Sequence, residues 1–375
     1  MKRLFYLLIL TISLLGCHQK SLFPEKRALT GKSLNLRDSL NQTTRIFAWN
    51  NKLYVKDFDG THFILVYDLL QKKFSRWITK GEAPHEALSV QSLGIHNNQL
   101  YIFDTGNQNI KMYNADNGDF ISGNGRIKPY ATLFARPIND SLSVGCPYSD
   151  SIRVIMFDNT GKTLIKNYEY PFESSFSASY AHMFAMMNDI VVHPAEHKFA
   201  MATQYASALQ IFEWNEKDIR LLIEKDMEAP EYDMKDNSFQ VNNRTKWGYL
   251  SSSGDEQFIY LLYSGAVQSQ VKNPCIGNHI HVFDWDGNAI AELEVPEMLS
   301  AISVCNQKLY GIQSDDSFGY EIMEYDLKTL NLEAVLISFD KFVKHDLDEC
   351  NLYHSFCGFS KEFIIDGQPS EVFQP

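Results

Sequence analysis

The residues best suited to chemistry are few and scattered. His279 and His281 stand two apart, so on a strand both rings project from the same side of a sheet, as two metal ligands would. A half-exposed strand end that holds two histidines explains the same spacing, and no third ligand is visible. Asn114-Ala115-Asp116-Asn117-Gly118-Asp119 and Asp284-Trp285-Asp286-Gly287-Asn288 faintly resemble calcium loops. A Ca²⁺ loop needs six or more converging oxygens, and the distal Glu of the EF-hand is missing from both; hairpin turns account for the same residues. Ser174-Ser175 and Ser252-Ser253-Gly254 are loop serines, and no GxSxG, HExxH, P-loop or dinucleotide fingerprint occurs. The sequence therefore assigns no catalytic residue, no cofactor and no metal ligand.

The strongest chemical signal lies at the N-terminus. Met1-Lys2-Arg3 is a basic start, Leu4 to Leu15 is almost wholly apolar, and the stretch ends at Leu14-Leu15-Gly16-Cys17. Twelve helical residues span about 18 Å, too short for a bilayer core of roughly 30 Å, so the stretch reads as an export signal. Small Gly16 before Cys17 resembles the lipobox of bacterial lipoproteins, in which the cysteine is acylated and becomes the mature N-terminus. An ordinary signal peptide containing a cysteine is the plainer alternative. Lipidation at Cys17 would make the membrane a partner and place the protein in the bacterial envelope, with the outer membrane as the expected site on an unspecified face. Cys146, Cys275, Cys305, Cys350 and Cys357 remain, an odd number for an oxidising compartment. Cys350 and Cys357 are close enough to bridge, and burial as small hydrophobes is the expectation for at least three of the five.

The elements that position these residues are legible as a repeat. Asn51-Lys52-Leu53-Tyr54-Val55 leads to Ile64-Leu65-Val66-Tyr67-Asp68, and the same pair of short apolar strands recurs from Leu100, Leu142, Phe199, Phe258 and Leu309. Successive copies are 47, 42, 57, 59 and 51 residues apart, the length that four short strands and their turns require. Asp116-Asn117-Gly118, Asn159-Thr160-Gly161 and Asp286-Gly287 supply positive-φ residues for tight hairpins. Aromatics at 13%, including 25 Phe and 19 Tyr, suit pleated, half-buried surfaces. The expected fold is all-β, a six-bladed β-propeller with four antiparallel strands per blade. Its boundaries read as a signal peptide over 1–16, a lipidated N-terminus and tether over 17–42 with one strand around Ser33 to Leu36, the propeller over 43–340 and a C-terminal tail over 341–375.

Six copies behind a lipobox, with Gly81-Glu82-Ala83-Pro84-His85-Glu86 between the first two, resemble the TolB-like six-bladed propeller lipoproteins of bacterial envelopes. In that family the interblade segment is richer in Gly and Pro, and Ala83 and His85 depart from it. The likeness covers roughly residues 40 to 340 and implies the fold rather than an activity.

Two functional classes stand open. The first is a non-catalytic binding or scaffold lipoprotein with an envelope protein or glycan partner. The second is a propeller enzyme of the lactonase or lyase kind, which would hold a divalent ion at the channel mouth through carboxylates and amides. The inner-strand segments carry no carboxylate except Asp189, with Glu86 and Glu297 in preceding connections. A net charge of −12 and no dense basic run argue against nucleic acid. The expected binding face is the one bearing the second-to-third-strand loops and the interblade connections. There the segments from about Tyr170 to Ala185, Asp226 to Lys246 and Ser264 to Asn278 are long. Tyr180, His182, Tyr232 and Trp247 are the candidate ligand contacts, with Phe184 and Phe239 beside them. Asp226, Glu228, Glu231, Asp233 and Asp236 favour a cationic or sugar-like partner. The Met183–Met187 stretch reads either as an apolar contact surface or as the entry to a packed inner strand.

Overall fold

Each of the first four repeats folds into a four-stranded antiparallel sheet, as apolar runs separated by positive-φ turns dictate. The computed structural model describes residues 22–172, 180–187, 190–205, 207–236, 238–314 and 319–328, without the side chains of Tyr180, His182 and Asp226. All lie within the first of two compact units, residues 1–329. Cys17, the signal segment, Asp189, Cys350, Cys357 and the 341–375 tail lie outside the described residues.

Blade 1 comprises Gln42–Trp49, Lys52–Phe58, His62–Asp68 and Lys73–Thr79. Blade 2 runs from Val90–His96 to Phe120–Gly123, blade 3 from Thr132–Pro137 to Thr163–Asn167, and blade 4 from Ile190–Val192 to Asp218–Glu228. Blades 5 and 6 form one eight-stranded sheet because they share the long strand Ala289–Cys305. Its first part pairs with Gly277–Asp284 as the outer strand of blade 5, and its second part pairs with Lys308–Ser314 as the innermost strand of blade 6. Six blades result.

The ring closes through the N-terminal segment. Gly31–Ser33 pairs antiparallel with Tyr320–Asp326 and supplies the outer strand of blade 6. Glu25–Ala28 pairs parallel with Ala291–Glu294 along the edge of blade 5. Residues 22–33, expected as part of a tether, are thus built into the sheets. The physical reason is edge pairing: the outer edges of blades 5 and 6 would otherwise expose unpaired peptide groups. Phe23 is buried against Phe283 and His281, and Lys26 reaches Glu292 at 2.6 Å.

The core is a set of apolar layers between adjacent blades. Tyr54, Ile64 and Val66 of blade 1 meet Leu93, Leu100 and Ile102 of blade 2. Phe134, Val144 and Val154 of blade 3 meet Phe199 and Phe212 of blade 4, whose rings stack at 5.0 Å. A single four-stranded sheet cannot bury both faces, so each blade is stabilised by its neighbours. Gly118, Gly161 and Gly287 all adopt φ near +80°, at the turns where the sequence placed them. Asn50-Asn51, Asn97-Asn98 and Asn306-Gln307 are consecutive positive-φ pairs that close the hairpins between first and second strands.

Candidate functional site

An innermost propeller strand is an edge strand, and its outward peptide groups face the axis. In this chain serine hydroxyls satisfy several of them from the neighbouring blade. Ser251 Oγ of blade 5 accepts the Ile302 N–H of blade 6 at 3.1 Å, and Ser253 Oγ accepts the Val304 N–H at 2.9 Å. Ser303 Oγ of blade 6 accepts the Ala48 N–H of blade 1 at 2.9 Å. Ser253, read from sequence as a loop residue, is a strand residue, and with Ser251 and Ser303 it stitches blades 5, 6 and 1 around the axis. The axis holds a cavity of about 770 Å³ lined from all six blades, with the first-to-second-strand hairpins at its mouth.

On the opposite side the three long segments converge. The helix Tyr180–Ala185 packs against the strand Ser238–Gln240, which pairs with Asp233–Lys235. Lys246 bridges to Val267, and the Trp247 indole N–H donates to Gln268 Oε1 at 3.0 Å. Tyr205 sits between Phe239 and Trp247, with ring centroids 4.7 and 4.6 Å away, and Tyr232 stands 5.2 Å from Phe239. Burial pushes the Tyr205 phenol up to about 12 and raises that of Tyr232. Of the four candidate contacts, Tyr232 and Trp247 therefore meet in one aromatic cluster. Trp247 is only 7% exposed and forms the floor of that cluster rather than its surface. Tyr180 and His182 fall on the short helix, and their side chains lie outside the described residues. Among the described residues, Met234, Val241 and Val271 are exposed apolar residues on these segments, a feature that sequence reasoning missed because each stands alone among polar neighbours.

Part of the acidic character expected of this face is taken up within it. Glu228 pairs with Lys246 at 2.6 Å and Glu231 with Arg244 at 2.8 Å, while Asp233 accepts the Asn242 amide at 2.9 Å. A preference for a cationic partner does not follow from carboxylates that already hold cations. Met183 and Met186 are buried with Tyr170. Arg153 holds this segment to blade 3, donating to the Met186 carbonyl at 2.7 Å beneath the Tyr170 ring.

The remaining chemical candidates are structural. His281 stacks on Tyr263, contacts Phe23, and shares a hydrogen bond with the Tyr249 hydroxyl at 3.1 Å; burial lowers its pKa to about 4. His279 Nδ1 stands 2.9 Å from Glu292. Asp284 Oδ1 accepts the N–H groups of Asp286 and Asn288, so this turn holds itself together. Asn114 Oδ1 does the same for Asp116 and Asn117. Glu297 accepts the Tyr325 hydroxyl at 2.7 Å, and Glu86 Oε2 accepts the Ala83 N–H at 3.0 Å. Cys146 is buried, Cys305 half-buried and Cys275 exposed, so burial as small hydrophobes fails for Cys275, which sits on the Ser264–Asn278 loop.

Comparison with known proteins agrees with this architecture. Residues 23–307 match the family described as TolB-like 6-blade propeller-like, and the chain belongs to that family. No curated protein matches the sequence. Among solved structures, a Bacteroides fragilis protein inferred to be exported is 14% identical, with a TM-score of 0.53 over 81% of this chain and 99% of that one. Raptor of Chaetomium thermophilum is 11% identical, with a TM-score of 0.44 over 77% of this chain and 28% of its own. BamB of Moraxella catarrhalis is 10% identical, with a TM-score of 0.40 over 76% and 84%.

Proposed function

We propose that the chain is an envelope lipoprotein, acylated on Cys17 and held at the outer membrane, whose propeller binds a protein or glycan partner without catalysis. The observation that carries the binding reading is the convergence of three long segments into one ordered platform. Tyr232, Phe239, Tyr205 and Trp247 form its floor, and Met234, Val241 and Val271 stand exposed on it. Aromatic side chains offer large contact area at low entropic cost, which suits an anchor for a partner. Acylation is supported by the Leu14-Leu15-Gly16-Cys17 sequence. The exported character inferred for the Bacteroides fragilis neighbour agrees with an envelope location. Buried Phe23 follows Cys17 by six positions, a reach of about 20 Å when fully extended. A lipid on Cys17 would hold blade 5 close to the bilayer.

Two experiments test the reading. Cys17→Ser should abolish incorporation of labelled palmitate and move the protein from the membrane pellet to the soluble fraction; retention in the pellet would place the anchor elsewhere. A photo-crosslinking residue at Met234 should yield a defined envelope adduct, while one at Leu70, on the opposite face and 75% exposed, should not. Equal yields from both positions would remove the loop face from consideration.

A further inference from the structure

The chain enters the propeller from the hairpin face. Glu25–Ala28 runs parallel to Ala291–Glu294, whose strand starts from the hairpin turn Asp284–Asn288. Leu22 and Phe23 therefore lie at the hairpin end of blade 5, where Phe23 packs on the Phe283 ring. The same face carries, between blades 6 and 1, an open cavity of about 700 Å³. Its charged lining is Lys32, Lys52, Lys72, Lys308 and Lys328 against one carboxylate, Glu324. Lys308 pairs with Glu324 at 2.7 Å and Lys52 with Asp116 at 3.1 Å. Lys32, Lys72 and Lys328 are exposed, and among the described residues no carboxylate holds them. Two acids border the cavity, and each is turned to its own backbone. Asp68 Oδ1 accepts the N–H groups of Leu70 and Gln71 at 2.9 and 2.8 Å, and Asp326 Oδ1 accepts that of Lys328 at 2.8 Å. The groups that reach outward are thus ammoniums on flexible stems and Leu70, an exposed apolar side chain on the turn between Asp68 and Lys73. On blades 3, 4 and 5 the hairpins instead expose Asp140, Glu216 and Asp286, so the basic patch is confined to blades 6 and 1.

We propose that this patch docks on an anionic lipid surface, with Lys32, Lys72 and Lys328 on lipid phosphates and Leu70 entering the interface beside them. The choice of a bilayer rests on the reading that Cys17 is acylated. The chain enters from this face and Cys17 lies within about 20 Å of Phe23 along an extended chain, so acyl chains and patch meet the same membrane. Each lysine near an anionic surface adds an attraction that fades within a Debye length, and an apolar side chain in the interface adds burial. A soluble phosphate would satisfy the ammoniums but give Leu70 nothing to bury against, which favours the lipid. Docked this way, the propeller leans on blades 6 and 1 and turns its aromatic platform away from the membrane.

The test uses the purified full chain with a photo-crosslinking residue at Leu70, mixed with vesicles of phosphatidylcholine alone or with added phosphatidylglycerol. Phosphatidylglycerol should raise the yield of lipid adduct severalfold, and high salt should return it to the phosphatidylcholine level. The same residue at Met234 should give no lipid adduct with either vesicle. Lys32→Gln, Lys72→Gln and Lys328→Gln should each weaken docking about fivefold, the equivalent of one ammonium at an anionic surface. Lys217→Gln, an exposed lysine on the blade 4 hairpin, should leave it unchanged, and an unaltered thermal midpoint shows that each variant is folded. Palmitate incorporation, read on the same sample, reports the anchor separately. An adduct without the label sustains this proposal and removes the lipoprotein reading, whereas no adduct with phosphatidylglycerol overturns the proposal whatever the label shows. Equal yields from the two vesicles or full yield in the three lysine variants also overturns it. So does loss of the adduct to inorganic phosphate at constant ionic strength, which would mark a site for a soluble anion.

Discussion

His281 makes stability depend on pH in a window that can be set in advance. The ring is 9% exposed, stacked on Tyr263 at 4.6 Å and against Phe23 at 4.4 Å, with the Tyr249 hydroxyl at Nδ1. Burial lowers its pKa from 6.5 to about 4; the neighbouring Glu292 opposes that fall, and His279 and Lys26 add to it. Between these two values the unfolded chain holds more protons than the folded one, so stability rises with pH there. The neutral ring's full stability is present above pH 6.5 and is lost as pH falls toward 4. At 1.36 kcal/mol per pH unit the loss is about 3 kcal/mol, a large share of the roughly 5–15 kcal/mol that holds a domain together. His281→Gln removes the titration and keeps a hydrogen-bonding partner for the Tyr249 hydroxyl. Urea unfolding of both proteins at pH 7 and pH 4 isolates the contribution, because carboxylates common to both cancel in the difference. The variant should gain about 3 kcal/mol on wild type between pH 7 and pH 4. A gap that stays constant within about 1 kcal/mol would show that His281 is solvated or already charged in the native state.

Three further outcomes follow from named contacts. Ser303→Ala and Ser251→Ala each orphan a backbone N–H on an innermost strand and should cost about 1–2 kcal/mol in urea unfolding; a loss near zero would mean that water in the channel replaces the hydroxyl. Phe23→Ala should destabilise by about 3 kcal/mol, because Phe23 is buried between blades 4 and 5; an unchanged midpoint would show that the N-terminal segment does not close the ring. Native protein should react with a thiol reagent at exposed Cys275, slowed because burial pushes its thiol up, and at buried Cys146 only on unfolding, as peptide mapping of the labelled protein would establish.

The blade count was legible because it rests on local chemistry that repeats. Each copy couples a positive-φ turn to two short apolar strands, and the turn glycines Gly118, Gly161 and Gly287 take the conformation their neighbours imply. Ring closure was not legible. Glu25–Ala28 and Gly31–Ser33 are short and polar, and they become strands only because the far end of the chain offers them an edge. No local pattern encodes a pairing across roughly 290 residues of sequence. The convergence of the loop segments was legible from strand alternation alone, since successive reversals put those loops on one side. Their electrostatics were not, because Lys246 and Arg244 follow the carboxylates they neutralise only after the chain has doubled back.

The channel was the least visible feature, and the reason is physical. Metal or nucleophile motifs gather chemical residues at short spacings, whereas a propeller axis draws one or two residues from each blade, some 50 positions apart. Arg45 and Arg136 belong to no motif when read in sequence, and the Phe134 ring beside Arg45 is an ordinary strand residue. The role of Ser251, Ser253 and Ser303 shows only when the neighbouring backbone N–H groups are placed beside them. A propeller chain can therefore show no active-site signature and still assemble a charged, polar cavity from residues that acquire a shared environment only when the ring is closed.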